Sequence, residues 1–285
     1  MKYDYPEHYA KDALSAIELA KELQASGEYD LFRGQRHTFD IKPSISRDNV
    51  DRDLAYNELN AFANWVHQTP DLNSLHGNQE AILAVAQHYG LKTPFIDFSS
   101  SPKIAGFFAT DGGIVGDTGT IICLNKNRFQ KSWKDINEKY YKDNEMLLTD
   151  IVDIDVKNLW RLQSQEGVFL RCHVDPSLLE MFSCFLHIYF PQQTELNVLE
   201  REKVYPNAKS HLEVLLDQYF LINTYEERNR MMQMLFNHTI SIPDNEIKQE
   251  MESYFIETDC QISIARGNLN TQNNGLKNQM RSILK

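Results

Sequence analysis

Two segments of the chain combine an arginine with a cluster of hydroxyl groups. Arg33 comes directly after a short predicted strand, in the stretch LFRGQR, residues 31–36. Residues 97–102, DFSSSP, place Ser99 and Ser101 just before a proline that suits the first position of a helix. An arginine binds phosphate oxygens through its planar fork, and a helix N-terminus favours an anion. The pattern therefore indicates a site that grips a phosphate-bearing ligand.

The same side chains also have purely structural interpretations, and these stay open. Arg33 could form an ion pair with Asp97 that stabilises the fold. Ser99 and Ser101 could cap the following helix, which does not exclude contact with a ligand. His88 lies near a predicted helix end, where a hydrogen-bonded packing residue is more typical than a general base.

The charge of the chain limits the partners that we expect. The formal net charge is −11, and an acidic surface repels phosphate backbones, so we do not expect a broad nucleic-acid interface. Four basic residues nevertheless fall in one acid-poor stretch that only Asp40 interrupts. They are Arg33, Arg36, Lys42 and Arg47. A small local basic site is compatible with this pattern.

The composition is that of a soluble globular protein, with 42% hydrophobic and 24% charged residues among 285. No apolar run approaches the ~20 residues of a membrane span, and the first residues do not resemble a secretory signal. We therefore expect a cytoplasmic protein without membrane contact.

The cysteines show no paired spacing, which fits a reduced compartment better than a disulfide framework. They are Cys123, Cys172, Cys184 and Cys260. A zinc site that combines Cys172-His173 with Cys184 and His187 is the alternative, but its ligand spacing is unlike that of most structural zinc sites. We expect no metal.

Hydrophobic periodicity predicts helices first, then mostly strands, then helices again. The predicted helices span 11–24, 51–68, 78–89 and 102–108, with further ones after Asn207, after Thr224 and over 245–255. The predicted strands span 29–32, 95–98, 119–124, 151–156, 167–172 and 185–189. This segregation favours the α+β class. We predict a domain over 1–205 with its motif core at 29–172, a helical segment over 206–266 and a polar tail over 267–285.

Four ordered elements resemble the FRG-domain family of bacteria and phages. Members of that family carry an aromatic-Arg-Gly-Gln element, a helix ending in Gln-His-Tyr-Gly-Leu-Pro-Thr, an Asp-Trp-Thr-x-Ser-Pro turn and a later Arg-x-x-x-Gln-x-Gly-x-Phe segment. The chain has similar elements at 32–35, 87–93, 97–102 and 161–169, in which lysine, phenylalanine and serine replace the usual proline, tryptophan and threonine.

A more distant likeness is to the ADP-ribosyltransferases, which share an early aromatic-Arg-Gly strand and a Phe-x-Ser-Thr-Ser strand-to-helix element. Their catalytic glutamate lies on a later strand. Residues 32–34, 96–101 and 165–169 are similar to these three elements, in the same order. The resemblance implies an ADP-ribosyltransferase-like core of mixed or antiparallel strands, with N-terminal helices and a C-terminal helical segment. It also implies NAD as the substrate.

The resemblance assigns roles to particular residues. The implied NAD-binding residues are Arg33, Gly34, Gln35, His88, Ser99 and Ser101. Glu166 is the candidate catalytic carboxylate, because a carboxylate can stabilise the cationic ribose that forms when nicotinamide leaves. Gln165 is the other candidate, since the FRG pattern has glutamine there. On a regular strand the two side chains would face opposite sides.

These observations leave three hypotheses about function. The first is an ADP-ribosyltransferase or NAD-cleaving hydrolase, which the family's setting would make a toxin or a phage-defence effector acting on a macromolecular target. The second is a non-catalytic nucleotide-binding module that uses Arg33 and the serines. The third is an interaction domain for a regulatory protein, in which the motifs are structural. A nuclease is the least supported reading, because the chain lacks a clustered acidic metal motif.

Overall fold

The structure, a computed structural model, describes residues 6–144, 148–154, 158–181, 183–193 and 198–223. The chain divides into two compact units, Met1–Ser210 and His211–Lys285. The predicted helices after Thr224 and over 245–255, and the polar tail, lie outside the described residues. No helix in the described part is long and apolar enough to cross a membrane.

Seven strands of the first unit form one sheet within the described residues. They are β1 (Glu7–Tyr9), β2 (Leu31–Gln35), β3 (Phe95–Ser99), β4 (Thr118–Leu124), β5 (Thr149–Asp153), β6 (Gly167–Cys172) and β7 (Phe185–Pro191). Their order across the sheet is β1-β7-β4-β2-β3-β6-β5. The pair β1–β7 is parallel, and the other neighbours are antiparallel.

Helices occupy much of the chain between these strands and after the last of them. They are α1 (Ala13–Ala25), α2 (Arg52–Gln68), α3 (Gln79–His88), α4 (Pro102–Thr110), α5 (Lys126–Asn144), α6 (Trp160–Ser164) and α7 (Arg201–Val204). Residues 211–223 of the second unit are also helical, so that helix begins later than a cap at Asn207 predicts. The helix α3 begins as predicted, because the Asn78 Oδ1 atom accepts a hydrogen bond from the Ala81 amide at 3.0 Å.

The α+β class is confirmed at the level of a mixed sheet with helices, although the reason differs from the predicted one. The helix α5 separates β4 from β5, and α6 separates β5 from β6, so strands and helices are not segregated along the chain. What sets the class is the mainly antiparallel pairing of the sheet. The sequence patterns predict neither α5 nor β1.

The two faces of the sheet carry two separate apolar cores, and the alternation of side chains along β2 shows the division. Phe32 belongs to the core that holds buried residues of α1 and α4, among them Ile17 and Ala105. Leu31 belongs to the other core, which contains Trp133 of α5. Each buried side chain of this size contributes about 1.5–3 kcal/mol to folding. Buried side chains therefore pack on both faces of β2 at the two residues that precede Arg33.

The cysteines that the structure describes are buried parts of these cores. Cys172 and Cys184 lie in the same core as Leu31. Burial raises the pKa of the Cys172 thiol to about 11 and raises that of Cys184 as well. Among the described residues, no group of three or more His, Cys, Asp or Glu side chains is placed to hold a metal ion.

Candidate functional site

A cleft opens where β2 and β3 separate. The two strands are joined by a single residue pair, Phe32 with Ser99, whereas β2 pairs with β4 over five residues. The cleft has a volume of about 670 Å³. Its walls come from the strands β2, β3 and β6, from the helices α3, α4 and α6, and from residues of the 36–47 loop and Tyr205.

Most of the side chains named from the sequence meet in this cleft. Six of the eight line it, namely Arg33, Gly34, Gln35, His88, Ser99 and Gln165. Ser101 and Glu166 are not among the lining residues. The geometry brings the six together, and their roles in binding remain predictions.

Arg33 bridges the gap between the two strands. Its Nη1 atom donates a hydrogen bond of 2.7 Å to the backbone carbonyl of Asp97 and lies 3.9 Å from the Asp97 Oδ2 atom. The Nε atom of Arg33 is buried and has no hydrogen-bond partner in the structure. Burial lowers the pKa of the guanidinium, while nearby Asp97 acts to raise it. Arg33 is thus anchored at one end and retains an unused donor.

A chain of hydrogen bonds fixes Asp97 in turn. The Gln87 Nε2 atom donates to Asp97 Oδ2 at 3.0 Å, and the Gln87 Oε1 atom accepts from the hydroxyl of Thr93. The Thr93 amide donates to the Ser44 Oγ atom at 2.9 Å. The sequence motif that carries Gln87 and Thr93 therefore connects the 36–47 loop region to Arg33 through side-chain hydrogen bonds.

Gly34 allows α4 to pack directly on β2. A Cβ atom at this position would lie 1.8 Å from the Ala105 carbonyl oxygen and 2.6 Å from the Ala109 amide nitrogen. Such separations are far inside van der Waals contact, so the helix could not stay where it is. The missing side chain therefore serves the packing of the helix, and the NAD-binding role that the resemblance implies for Gly34 remains a prediction.

The serines use their hydroxyls within the protein. The Ser99 Oγ atom donates to the Gln165 carbonyl at 2.8 Å and accepts from the Ser101 amide at 3.0 Å. The Ser100 Oγ atom donates to the Glu166 Oε2 atom at 2.9 Å. Ser101 occupies the N-cap position of α4 but makes no side-chain cap bond. These contacts join β3 to the turn that precedes β6.

Gln165 and Glu166 lie in that turn and not on a strand, so strand alternation does not decide which of them faces the cleft. Gln165 is the C-cap residue of α6, and β6 begins at Gly167. Glu166 is exposed and adopts a left-handed backbone with φ of 46°. Of the two side chains, only that of Gln165 belongs to the cleft lining.

Tyr205 lines the cleft, and no sequence pattern predicted a role for it. The guanidinium carbon of Arg161 lies 4.7 Å from the centre of the Tyr205 ring, and that of Arg201 lies 5.0 Å from it. The Gln165 Nε2 atom donates to the neighbouring Val204 carbonyl at 3.3 Å. An aromatic residue followed by proline in the printed sequence gives no signal of this packing.

The cleft is basic although the chain is acidic. Five basic side chains line it, namely Arg33, Arg36, Lys42, Arg47 and Arg161, against the acidic side chains of Asp40 and Asp97. The chain as a whole has a formal net charge of −11. A local excess of three positive charges inside a concave surface focuses the field on an anion.

Two further residues that line the cleft each carry a buried polar atom that has no hydrogen-bond partner among the described residues. These atoms are Gln35 Oε1 and His88 Nε2. Burial, with a smaller contribution from Arg161, lowers the pKa of His88 to about 4, so its ring is neutral at neutral pH. Buried polar groups are normally paired, so unpaired ones at a cleft are sites where a ligand can bond.

Comparison with protein families identifies part of this arrangement. Residues 29–115 match the FRG domain. The resemblance predicted from the sequence is confirmed over this range. No curated protein and no solved structure matches the chain.

The FRG match covers one side of the cleft and not the other. It includes the bridge from Arg33 to Asp97, the hydrogen bonds of Gln87 and the whole of α4. Gln165 and Tyr205 lie outside the matched range. The predicted fourth family element, at 161–169, therefore remains a prediction, although its residues form the opposite wall of the cleft.

Proposed function

We propose that the chain binds NAD in the cleft between β2 and β3 and acts on it in the manner of an ADP-ribosyltransferase, by transfer to a macromolecular acceptor or by hydrolysis. The observation that carries the proposal is the lining of the cleft. It holds Arg33 with a buried, unpartnered donor inside a basic pocket of an acidic chain. A dinucleotide supplies the negative charge that such a pocket favours.

The chemistry would need a group that stabilises positive charge on the ribose as nicotinamide departs. Glu166 is the residue that the resemblance nominates, and its Oε2 atom accepts from Ser100. Its carboxylate lies outside the cleft lining. Catalysis by Glu166 therefore requires the turn before β6 to change conformation and bring that side chain into the cleft. Asp97 is a carboxylate that already lines the cleft.

This position of Glu166 favours a second candidate, a nucleotide-binding module without catalysis. That module would use the same basic cleft, and Gln165 would contact the ligand without cleaving it. The two candidates make the same prediction for NAD binding and different predictions for nicotinamide release.

The deciding experiment measures both quantities on the full chain. Calorimetric titration gives the affinity for NAD, and chromatography of the same samples measures nicotinamide release, with and without cell lysate as a source of acceptor. Release that depends on the wild-type protein supports the enzyme. Binding without release supports the binding module, and absence of binding overturns both.

Arg128→Gln is the matched control for variants of the cleft arginines. Arg128 is exposed on α5 and does not line the cleft. Its substitution removes one positive charge from the chain, so it shows how much of an effect comes from net charge alone.

A further inference from the structure

Contacts within the protein do not account for Arg36 and Arg47, the two arginines that residues 36–47 contribute to the cleft. Lys42 pairs with Asp40 at 3.3 Å and with Asp48 at 3.8 Å. Among the described residues, neither Arg36 nor Arg47 forms an ion pair, yet both line the cleft. The basic wall therefore carries two arginines whose charges are not balanced by neighbouring carboxylates.

Arg47 also acts directly on Arg33. Its positive charge lowers the pKa of the Arg33 guanidinium, in the same direction as burial does. Both arginines line the cleft, and like charges that face the same cleft repel one another. An anion bound between them would remove this repulsion and would accept a hydrogen bond from the unpartnered Arg33 Nε atom.

Arg36 is held in place by its backbone and by the shape of the neighbouring turn. The buried side chain of Gln192 donates from Nε2 to the Arg36 carbonyl at 3.0 Å and to the Ala109 carbonyl at 2.6 Å. Gly112 has a φ of 73°, and a Cβ atom there would lie 3.0 Å from the Arg36 Nη1 atom. The turn after α4 thus leaves room for the Arg36 guanidinium.

The serine hydroxyls next to the cleft already have hydrogen-bond partners within the protein, and the N-terminus of α4 does not line the cleft. The Ser99 and Ser100 hydroxyls are engaged with the turn before β6, and neither Ser101 nor Pro102 lines the cleft. Most of the basic side chains that line the cleft come from β2 and from the 36–47 loop that follows it.

We propose that Arg36 and Arg47, together with Arg33, form a subsite for the diphosphate of a nucleotide. This inference rests on the proposed function, since NAD contains such a diphosphate, and it names the residues that would bind it. Three arginines with forked donors match two adjacent phosphates better than one. A nucleotide with two phosphates should therefore bind more tightly than its monophosphate.

The test is a calorimetric titration of the full chain with pyrophosphate, AMP, ADP and NAD at fixed low salt. We expect ADP to bind at least ~10-fold more tightly than AMP, since the second phosphate adds charge-assisted hydrogen bonds. Arg36→Gln and Arg47→Gln should each lower the affinity for ADP and for NAD at least ~5-fold, while the affinity for AMP should fall less. Arg128→Gln should leave all four affinities unchanged. Circular dichroism confirms that each variant is folded.

Each outcome decides the subsite separately from the proposed function. If NAD binds and neither Arg36→Gln nor Arg47→Gln weakens it, the subsite is wrong and the proposed function stands. If ADP and pyrophosphate bind through these arginines but NAD does not, the subsite is right and the proposed function fails. Equal affinity for AMP and ADP, or binding of NAD without binding of ADP or pyrophosphate, overturns the subsite and leaves the proposed function standing.

Discussion

The Nη1 atom of Arg33 donates a hydrogen bond of 2.7 Å to the backbone carbonyl of Asp97, across the point where β2 and β3 part. A side chain thereby takes the place of a ladder hydrogen bond and holds the two walls of the cleft together. The ion-pair interpretation and the ligand-binding interpretation of Arg33 are therefore compatible, because one atom serves the fold and the Nε atom stays unused.

The first prediction concerns Arg33 itself. Arg33→Lys keeps the positive charge but loses the planar fork, so the donors to the Asp97 carbonyl and to a ligand no longer lie on separate nitrogen atoms in a fixed geometry. We expect the free energy of unfolding to fall by about 1.5–3 kcal/mol, the range of a hydrogen bond to a charged group. NAD affinity should fall at least ~10-fold. Urea unfolding and calorimetry measure the two effects, and NAD affinity equal to that of the wild type would rule out a role for the fork.

A second prediction concerns the hydrogen bonds that lead to Asp97. Gln87→Leu and Thr93→Val each remove one partner of the hydrogen bond between these two side chains. Each should lower the free energy of unfolding by about 1–2 kcal/mol. Because the two residues share a hydrogen bond, the double variant should lose about 0.5–1 kcal/mol less than the sum of the single losses. Urea unfolding of the four proteins measures this coupling. Strict additivity would show that the two side chains act independently.

A third prediction separates close packing from backbone strain at two glycines. Gly34→Ala places a Cβ atom 1.8 Å from the Ala105 carbonyl oxygen, so α4 must shift and the loss should be at least about 2–3 kcal/mol. Gly27→Ala is the matched control, because Gly27 has a φ of 73° and nothing within 4 Å of the added carbon. Its cost should be about 1–2 kcal/mol. Equal losses in urea unfolding would contradict the packing argument.

A fourth prediction follows from the low pKa of His88. Its ordinary value is 6.5 and burial lowers it to about 4, so between these values the unfolded chain binds more protons than the folded one. Stability therefore falls as the pH drops from about 6.5 towards about 4, by roughly 3 kcal/mol in total from this group. His88→Gln should remove this part of the acid sensitivity.

The measurement for His88 is the free energy of unfolding of both proteins at pH 7.5 and pH 4.5. Other groups titrate in this range, including His173, whose pKa is also lowered by burial. The difference between the two proteins cancels these contributions, since they are common to both. A pH dependence that is the same in the variant would show that His88 is solvated in the folded state.

Local patterns predicted the elements that carry the first wall of the cleft. Strand and helix signals around Arg33 and Ser99 depend on residues close in sequence, so β2, β3 and α4 appear at nearly the predicted places. The bridge to the Asp97 carbonyl was not predicted, because a backbone acceptor carries no sequence signal. Tyr205 was missed for a related reason, since its neighbours Arg161 and Phe108 are distant along the chain.

The turn before β6 is the place where the sequence could not decide whether Gln165 or Glu166 faces the cleft. Extending β6 back to Gln165 predicted a choice between two strand faces, but the chain turns at Glu166 with φ of 46°. A glutamate carries no sequence signal for a left-handed backbone, because that conformation is imposed by contacts with residues elsewhere in the chain. Those contacts are the Ser100 amide and hydroxyl, which donate to the Glu166 carbonyl and carboxylate.

The last prediction uses this geometry to test catalysis. Glu166→Gly removes the carboxylate while supplying the residue that a positive φ prefers, so the protein should stay folded, within about 1 kcal/mol of the wild-type stability. We expect NAD affinity to stay within ~2-fold, because the side chain lies outside the cleft lining, and nicotinamide release to fall at least ~100-fold, as loss of an electrostatic stabiliser does. Gln165→Ala should instead weaken NAD binding. If release persists in Glu166→Gly, the stabilising carboxylate is elsewhere, and Asp97→Asn tests the one that lines the cleft beside Arg33.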